Sequence, residues 1–303
     1  MIYKGTYKDR PAVIIESATL RATVLYDDGA KIASLIDLSE GKELLSTKEG
    51  EAYKRLAYDG SYVDSECSAF DDMFPTIDPY TADGGAFKGI TYPDHGEMCR
   101  LGFDARIEDG RAVFSASSRL FPITYEKSLT PTENGGIRVS YEITNSSGHP
   151  FDFIYAGHIM LKGEDGARLI TPFDQSAPIA RIFGAKDIAD EDLLRDGLSG
   201  FIKGSGAAYK FYYTEPMKSG YFALRYATGK ELSFRFNEKR LPYLGVWLNN
   251  GEFQNIYTIS PEPCTAPFDA PDKAAERGYS SVIAPNSTFD FSIDIELSKI
   301  PTN

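Results

Sequence analysis

The chain has 303 residues, 42% hydrophobic and 25% charged, with a formal charge of -12 and only three histidines and three cysteines. This is the balance of a globular protein with a sizeable core, and its acidity excludes a Lys/Arg surface for polyanions, so nucleic acid is not an expected partner. No apolar run approaches the roughly 18 residues of a membrane span, and MIYKGTYKDRPAVIIES has no signal-like apolar region, so a cytoplasmic protein with no membrane partner is expected.

Period-two alternation dominates from one end to the other. A turn at YDDGA (26–30) comes first; EDGR (108–111) then leads into a strand over AVFSASSRL (112–120), and ENGG (133–136) leads into IRVSYEITN (137–145). Each turn contains a glycine able to take positive φ, and each strand places alternate side chains on opposite faces. After SSGHP (146–150), the stretch AKDIADEDLLRDGL (185–198) breaks the pattern with the charge density and Ile/Leu spacing of a short helix. Alternation resumes in YFALRYA (221–227) and ELSFRFN (231–237), then, past a turn at NNGE (249–252), in FSIDIEL (291–297). With no repeat and no linker, this reads as an all-β, large antiparallel β-sandwich carrying one helical insertion, a single domain over 1–303. Cys67, Cys99 and Cys264 form no CxxC pair, so neither a disulfide framework nor a metal site is signalled, and reduced thiols are expected.

Few residues are equipped for proton chemistry. His149, between Gly148 and Pro150, reads as a turn residue. His158 lies in the strand-like FDFIYAGHIMLKG, where alternation puts Tyr155 on the opposite face; a strand histidine is a core group or a catalyst, and the pattern leaves both open. His95, in YPDHGEMCR, sits at a loop or strand entry and is equally open. Glu262 stands between Pro261 and Pro263, which stiffen its backbone; it fits a rigidly held general base or a solvated glutamate on an edge strand.

The order of motifs carries more than any one of them. DDGAKIASLIDLSEGKELL (27–45), FDDMFPTIDPY (70–80), DHGE (94–97), AGHIML (156–161), YLGVWLNNGE (243–252) and SPEPCTAPFD (260–269) follow one another along the chain. In this order they resemble the aldose 1-epimerase, or galactose mutarotase-like, family. The resemblance implies a large β-sandwich with a shallow cleft in which a glutamate and two histidines interconvert the α and β anomers of a free aldose. It implies Glu262 as the base at the C1 hydroxyl, His158 as the acid at the ring oxygen O5 and His95 as a second donor there. Trp247, Phe74, Tyr155 and Asp78 are the expected substrate contacts, the aromatics through their faces.

Anomerisation moves only protons: one leaves O1, one reaches O5, the ring opens, the C1–C2 bond rotates, and the steps reverse. No cofactor and no metal are expected. A monosaccharide is the expected partner, bound by a monomer or homodimer. The Gly-Arg turn that many members carry before the first histidine has no counterpart in FDDMFPTID, where Asp71, Asp72 and Asp78 are either its replacements or loop charges. Arg100, Arg106 and Arg181 are the side chains that could serve a hexose phosphate. A carbohydrate-binding sandwich, or a glycosidase or lyase using Glu97 with Glu262, stands as the alternative; Trp247, the one tryptophan, argues against a long-chain substrate.

Overall fold

Alternation of inward apolar and outward polar side chains builds the strands. In Ile137–Asn145 the residues Ile137, Val139, Tyr141 and Ile143 are buried while Arg138 and Glu142 face water. All nine residues pair antiparallel with Ile123–Pro131 on one side and with Ser287–Lys299 on the other. Such a segment has one dry face and one wet face, and the dry faces of two sheets close on each other.

The computed structural model describes residues 1–184, 189–192, 194 and 206–300. Among these, eight strands form one sheet, in the order Arg168–Ile170, Tyr221–Arg225, Lys230–Phe236, Ser287–Lys299, Ile137–Asn145, Ile123–Pro131, Arg111–Ser117 and Asp104–Glu108. A twelve-stranded sheet faces it. Its main path runs Ile2–Tyr7, Arg10–Glu16, Leu20–Leu25, Lys31–Asp37, Phe70–Met73, Ala156–Ile159, Tyr257–Cys264, Tyr243–Asn250, Ala208–Tyr213 and Ile179–Phe183. One core cluster joins the two sheets, with Val13, Ile32, Ile159 and Val246 from the larger and Phe114, Val139, Phe234 and Ile293 from the smaller.

The strands expected over 112–120, 137–145, 221–227, 231–237 and 291–297 are present, with end shifts of a few residues, and the antiparallel sandwich is the observed fold. The helix expected over 185–198 lies largely outside the described residues, of which Asp190–Asp192 forms a helical turn. A second short helix, Pro271–Ala275, was not expected; it begins on the proline that suits a first helical turn. No helix among the described residues is long and apolar enough to cross a membrane.

The turn at 26–30 has an unexpected interior. Asp28 is only 3% exposed, accepts a 2.7 Å hydrogen bond from the Tyr53 hydroxyl through Oδ2, and leaves Oδ1 buried without a partner. Burial pushes its carboxyl up to about 6, against the pull of Lys31 and Tyr53. An acid whose folded-state pKa is raised favours folding below its unfolded value and loses that contribution as pH rises through the folded one. Asp28→Asn should therefore match the wild type near pH 4 and be the more stable by on the order of 2–3 kcal/mol at pH 8. Denaturant melts at the two pH values measure this; equal gains at both would show that the carboxyl is not desolvated.

Candidate active site

Register assembles the site. Asp71 pairs with His158, and continuing the pair Ala156↔Cys264 by two residues sets His158 opposite Glu262. Glu262 in turn faces Gly245, and Gly245 faces Tyr212. Cross-strand partners share a face. Asp71, His158, Glu262 and Tyr212 therefore form one row on the face of the larger sheet turned away from the smaller sheet. Gly245 is a necessity here, since a Cβ would lie 2.7 Å from the Tyr212 ring and 3.3 Å from Glu262 Oε2.

Above this row opens a cleft of about 370 Å³, whose lining includes Tyr62, His95, His158, Lys210, Glu262 and Asp269. Glu262 lies at its floor, fully buried on an inner strand and not on an edge. Its strand keeps a continuous ladder with Tyr243–Asn250, but toward the His158 side the rungs are Ala156↔Cys264, Leu161↔Ile259 and Lys162↔Thr258 only. Pro261 and Pro263 fall in the gap, where neither has an N–H to give.

Both carboxylate oxygens of Glu262 are buried without a well-directed hydrogen bond. Ionic neighbours hold them instead: Lys210 Nζ is 3.0 Å from Oε2 and His158 Nε2 is 3.5 Å from Oε1. Burial raises the Glu262 carboxyl above the usual carboxylate range, Lys210 opposes that rise, and Asp269 reinforces it. His158 moves the other way. Burial, then the positive charges of His95, Lys210 and Lys31, hold its imidazole well below the ordinary histidine value.

His95 is placed by its loop. It adopts a left-handed conformation, φ 58°, followed by Gly96 at φ 74°, where a Cβ would lie 2.2 Å from the Phe74 carbonyl oxygen. The His95 ring stacks on Tyr62 with centroids 3.8 Å apart, and its Nδ1 is 2.9 Å from Asp94 Oδ1. Tyr62 donates to Asp71 at 2.9 Å, and its hydroxyl is 3.4 Å from His158 Nδ1. One tyrosine thus touches both histidines.

The sequence-derived residues separate into two groups. Glu262, His158, His95, Trp247 and Asp78 all line the cleft, Asp78 ion-paired with Lys273. Phe74 and Tyr155 do not: both are fully buried between the sheets, Phe74 against Tyr125, Phe151 and Phe153, and Tyr155 with its hydroxyl on Asp72. Asp71 and Asp72 are neither sugar ligands nor loop charges, being buried and paired with Lys31 and Lys127. His149 is exposed in its turn, away from the cleft.

Lys210, Asp269 and Tyr62 are site residues that the motifs do not single out. Lys210 stands in the alternating run AYKFYY, and that alternation was the available signal. Trp247 is not alone, for Phe183 and Phe253 sit 5.5 and 5.3 Å from its ring at the cleft edge. Glu97 is removed from the proposed carboxylate pair, since it is buried and accepts from Tyr58, Ser118 and the Arg119 amide. None of Arg100, Arg106 and Arg181 lines the cleft. No group of three or more potential metal ligands occurs among the described residues.

No family model and no curated protein matches the sequence. Solved structures do. A Klebsiella pneumoniae protein provisionally named an aldose 1-epimerase superposes with a TM-score of 0.70 at 17% identity, covering 97% of this chain and 81% of that one. A galactose mutarotase-like protein from Clostridium acetobutylicum gives 0.68 at 13% identity, with 99% of each chain covered. One from Lactobacillus casei gives 0.64 at 16%, covering 95% of this chain and 100% of that one. The chain has the galactose mutarotase-like fold.

Arg100 braces the loop that presents His95. It is 3% exposed and donates to the carbonyls of Tyr58, Gly60, Asp94 and Gly96. A lysine keeps the charge but not the fork that reaches four acceptors. Arg100→Lys should lower stability by about 1–3 kcal/mol. Thermal melts measure this; an unchanged melt would show that the loop does not depend on this side chain.

Proposed function

We propose that the protein is an aldose 1-epimerase acting on an unphosphorylated aldose. The observation that carries this is Glu262: a fully buried carboxylate at the cleft floor, held by ionic neighbours alone, with Lys210 at 3.0 Å and the His158 imidazole at 3.5 Å. A pure sugar-binding surface has no use for a desolvated carboxylate, whereas a general base does.

The protons balance as follows. Glu262 takes the proton of the C1 hydroxyl while the His158 imidazolium gives one to O5, and the C1–O5 bond breaks to leave an aldehyde. At that point Glu262 is protonated and His158 neutral, the distribution that burial favours for both. A histidine held low is a rare but strong acid, suited to a weakly basic ether oxygen. Rotation about C1–C2 and the reverse transfers close the ring on the other face. His95, held at Nδ1 by Asp94, keeps Nε2 for the ring oxygen.

The electrostatics of the cleft support a neutral sugar. Among the described lining residues Lys210 is the one lysine or arginine, and it is already matched by Glu262 and Asp269. A phosphate would meet, among the described lining residues, an acidic floor whose one lysine is already paired.

Glu262→Gln should preserve sugar binding by calorimetry and cut the excess over spontaneous mutarotation by roughly 10²- to 10⁴-fold. His158→Asn should do the same, and His149→Asn should leave the rate unchanged. Polarimetry on freshly dissolved pure anomers gives the rates. Retention of most of the excess rate by Glu262→Gln would remove Glu262 as the base and leave a binding sandwich as the better account.

A further inference from the structure

We infer that Lys210 is a positioning residue of this site: its ammonium, shared between Glu262 and Asp269, keeps the buried base charged and aimed at the cleft, and Asp269 limits how much of that charge Glu262 receives. The inference rests on the reading of Glu262 as base.

The geometry is specific. Lys210 is 8% exposed, and its Nζ lies 3.0 Å from Glu262 Oε2 and 3.0 Å from Asp269 Oδ1. It arrives from Ala208–Tyr213, so its stem crosses the strand Tyr243–Asn250. Lys210 pairs with Trp247 on that strand, and the residue opposite Glu262 is Gly245, which leaves the space between Tyr212 and Glu262 free of a side chain.

One ammonium thus serves two buried carboxylates, and the two are not equally provided for. Asp269 also accepts a 2.6 Å hydrogen bond from the Tyr212 hydroxyl, whereas Glu262 accepts none. Burial would raise Asp269, but Lys210 and Tyr212 outweigh it and hold the carboxyl below its usual value. Glu262, with the same lysine but no hydroxyl, stays above its usual value. Of the two carboxylates, the more basic is therefore the one that lies at the cleft floor. Removing one partner of a buried pair leaves the other uncompensated. Without Lys210, Glu262 would take up a proton and cease to be a base.

The groups that bear on Glu262 are His158 from one neighbouring strand, Lys210 and Tyr212 from beyond the other, and His95 and Asp269 from the loops; Lys31 and Asp71 lie past His158. Glu262 and His158 are close enough to titrate as a pair, so both limbs of the pH profile belong to the pair. Loss of a nearby positive charge makes both groups hold protons more tightly, and loss of a negative charge does the opposite.

The experiment uses the full chain. The excess mutarotation rate is followed against pH for the wild type, Lys210→Met, Lys210→Arg and Asp269→Asn. Lys210→Met should move the whole profile to higher pH by roughly one to three units, Asp269→Asn should move it to lower pH, and Lys210→Arg should stay near the wild type. Titration of ¹³C-carboxyl glutamate by NMR, with the Glu262 signal assigned through Glu262→Gln, reads the same midpoint without turnover. Midpoints that shift in these opposite directions support the inference. A Glu262 midpoint unmoved in Asp269→Asn or in Lys210→Met overturns it, whatever happens to the rates. A midpoint that moves while the rate profile does not would keep Lys210 in its place and remove Glu262 as the base.

Discussion

Two adjacent aspartates on one short strand hold the architecture in register. Along Phe70–Met73 the strand period sends Asp71 to the cleft face and Asp72 to the interior, and each meets a lysine: Lys31 at 3.1 Å and Lys127 at 2.6 Å. Lys127 and Asp72 have no exposed surface, and Lys127 also donates to the Ala30 carbonyl while Tyr155 donates to Asp72. Buried charges are tolerated only when paired and hydrogen-bonded. Sliding the strand by one residue would exchange the two faces and strand both lysines. The alignment of His158 with Glu262 follows from this, because the His158 strand, Ala156–Ile159, is paired with Phe70–Met73 along its whole length.

The cleft is consequently a built electrostatic site. Lys31 and Asp71 flank His158 on one side, while Glu262 with Lys210 flanks it on the other. Burial and then the charges of His95, Lys210 and Lys31 depress the imidazole, while Lys210 supports the carboxylate against burial, so one lysine acts on both groups. Tyr62 adds a mechanical link, stacked on His95 and within reach of His158.

Much of this was legible in the sequence, and the failures have physical reasons. The strands were legible because half-buried strands alternate, and the helix Pro271–Ala275 was not because five residues show no period. His95, His158 and Glu262 were singled out through motif order, and all three line the cleft. Alternation in AYKFYY puts Lys210 on the face of Tyr212, but its partners are remote in sequence and meet it only through strand register. Asp269 closes the motif SPEPCTAPFD, but its partners Lys210 and Tyr212 lie on another strand, so the motif did not single it out. Tyr155 could have been excluded: strand parity already set it opposite His158, and it lies in the core. Phe74 follows the parity of Asp72 and is buried with it. A motif brings a segment to the site, but parity decides which of its side chains arrive.

The prolines around Glu262 have a mechanical consequence. A β-sheet is stiff in its plane because each strand is bonded on both sides, yet between Ala156↔Cys264 and Leu161↔Ile259 no ladder rung joins the strands of His158 and Glu262. This makes a seam. His158 and Glu262 sit on opposite lips of it, set level by the flanking register and joined across the gap by their side chains, 3.5 Å apart. In the proposed reaction, small opening or closing of the seam would follow the changing distance between O1 and O5, with no ladder rung there to break. Elsewhere in the sheet, the same adjustment would have to distort a continuous ladder.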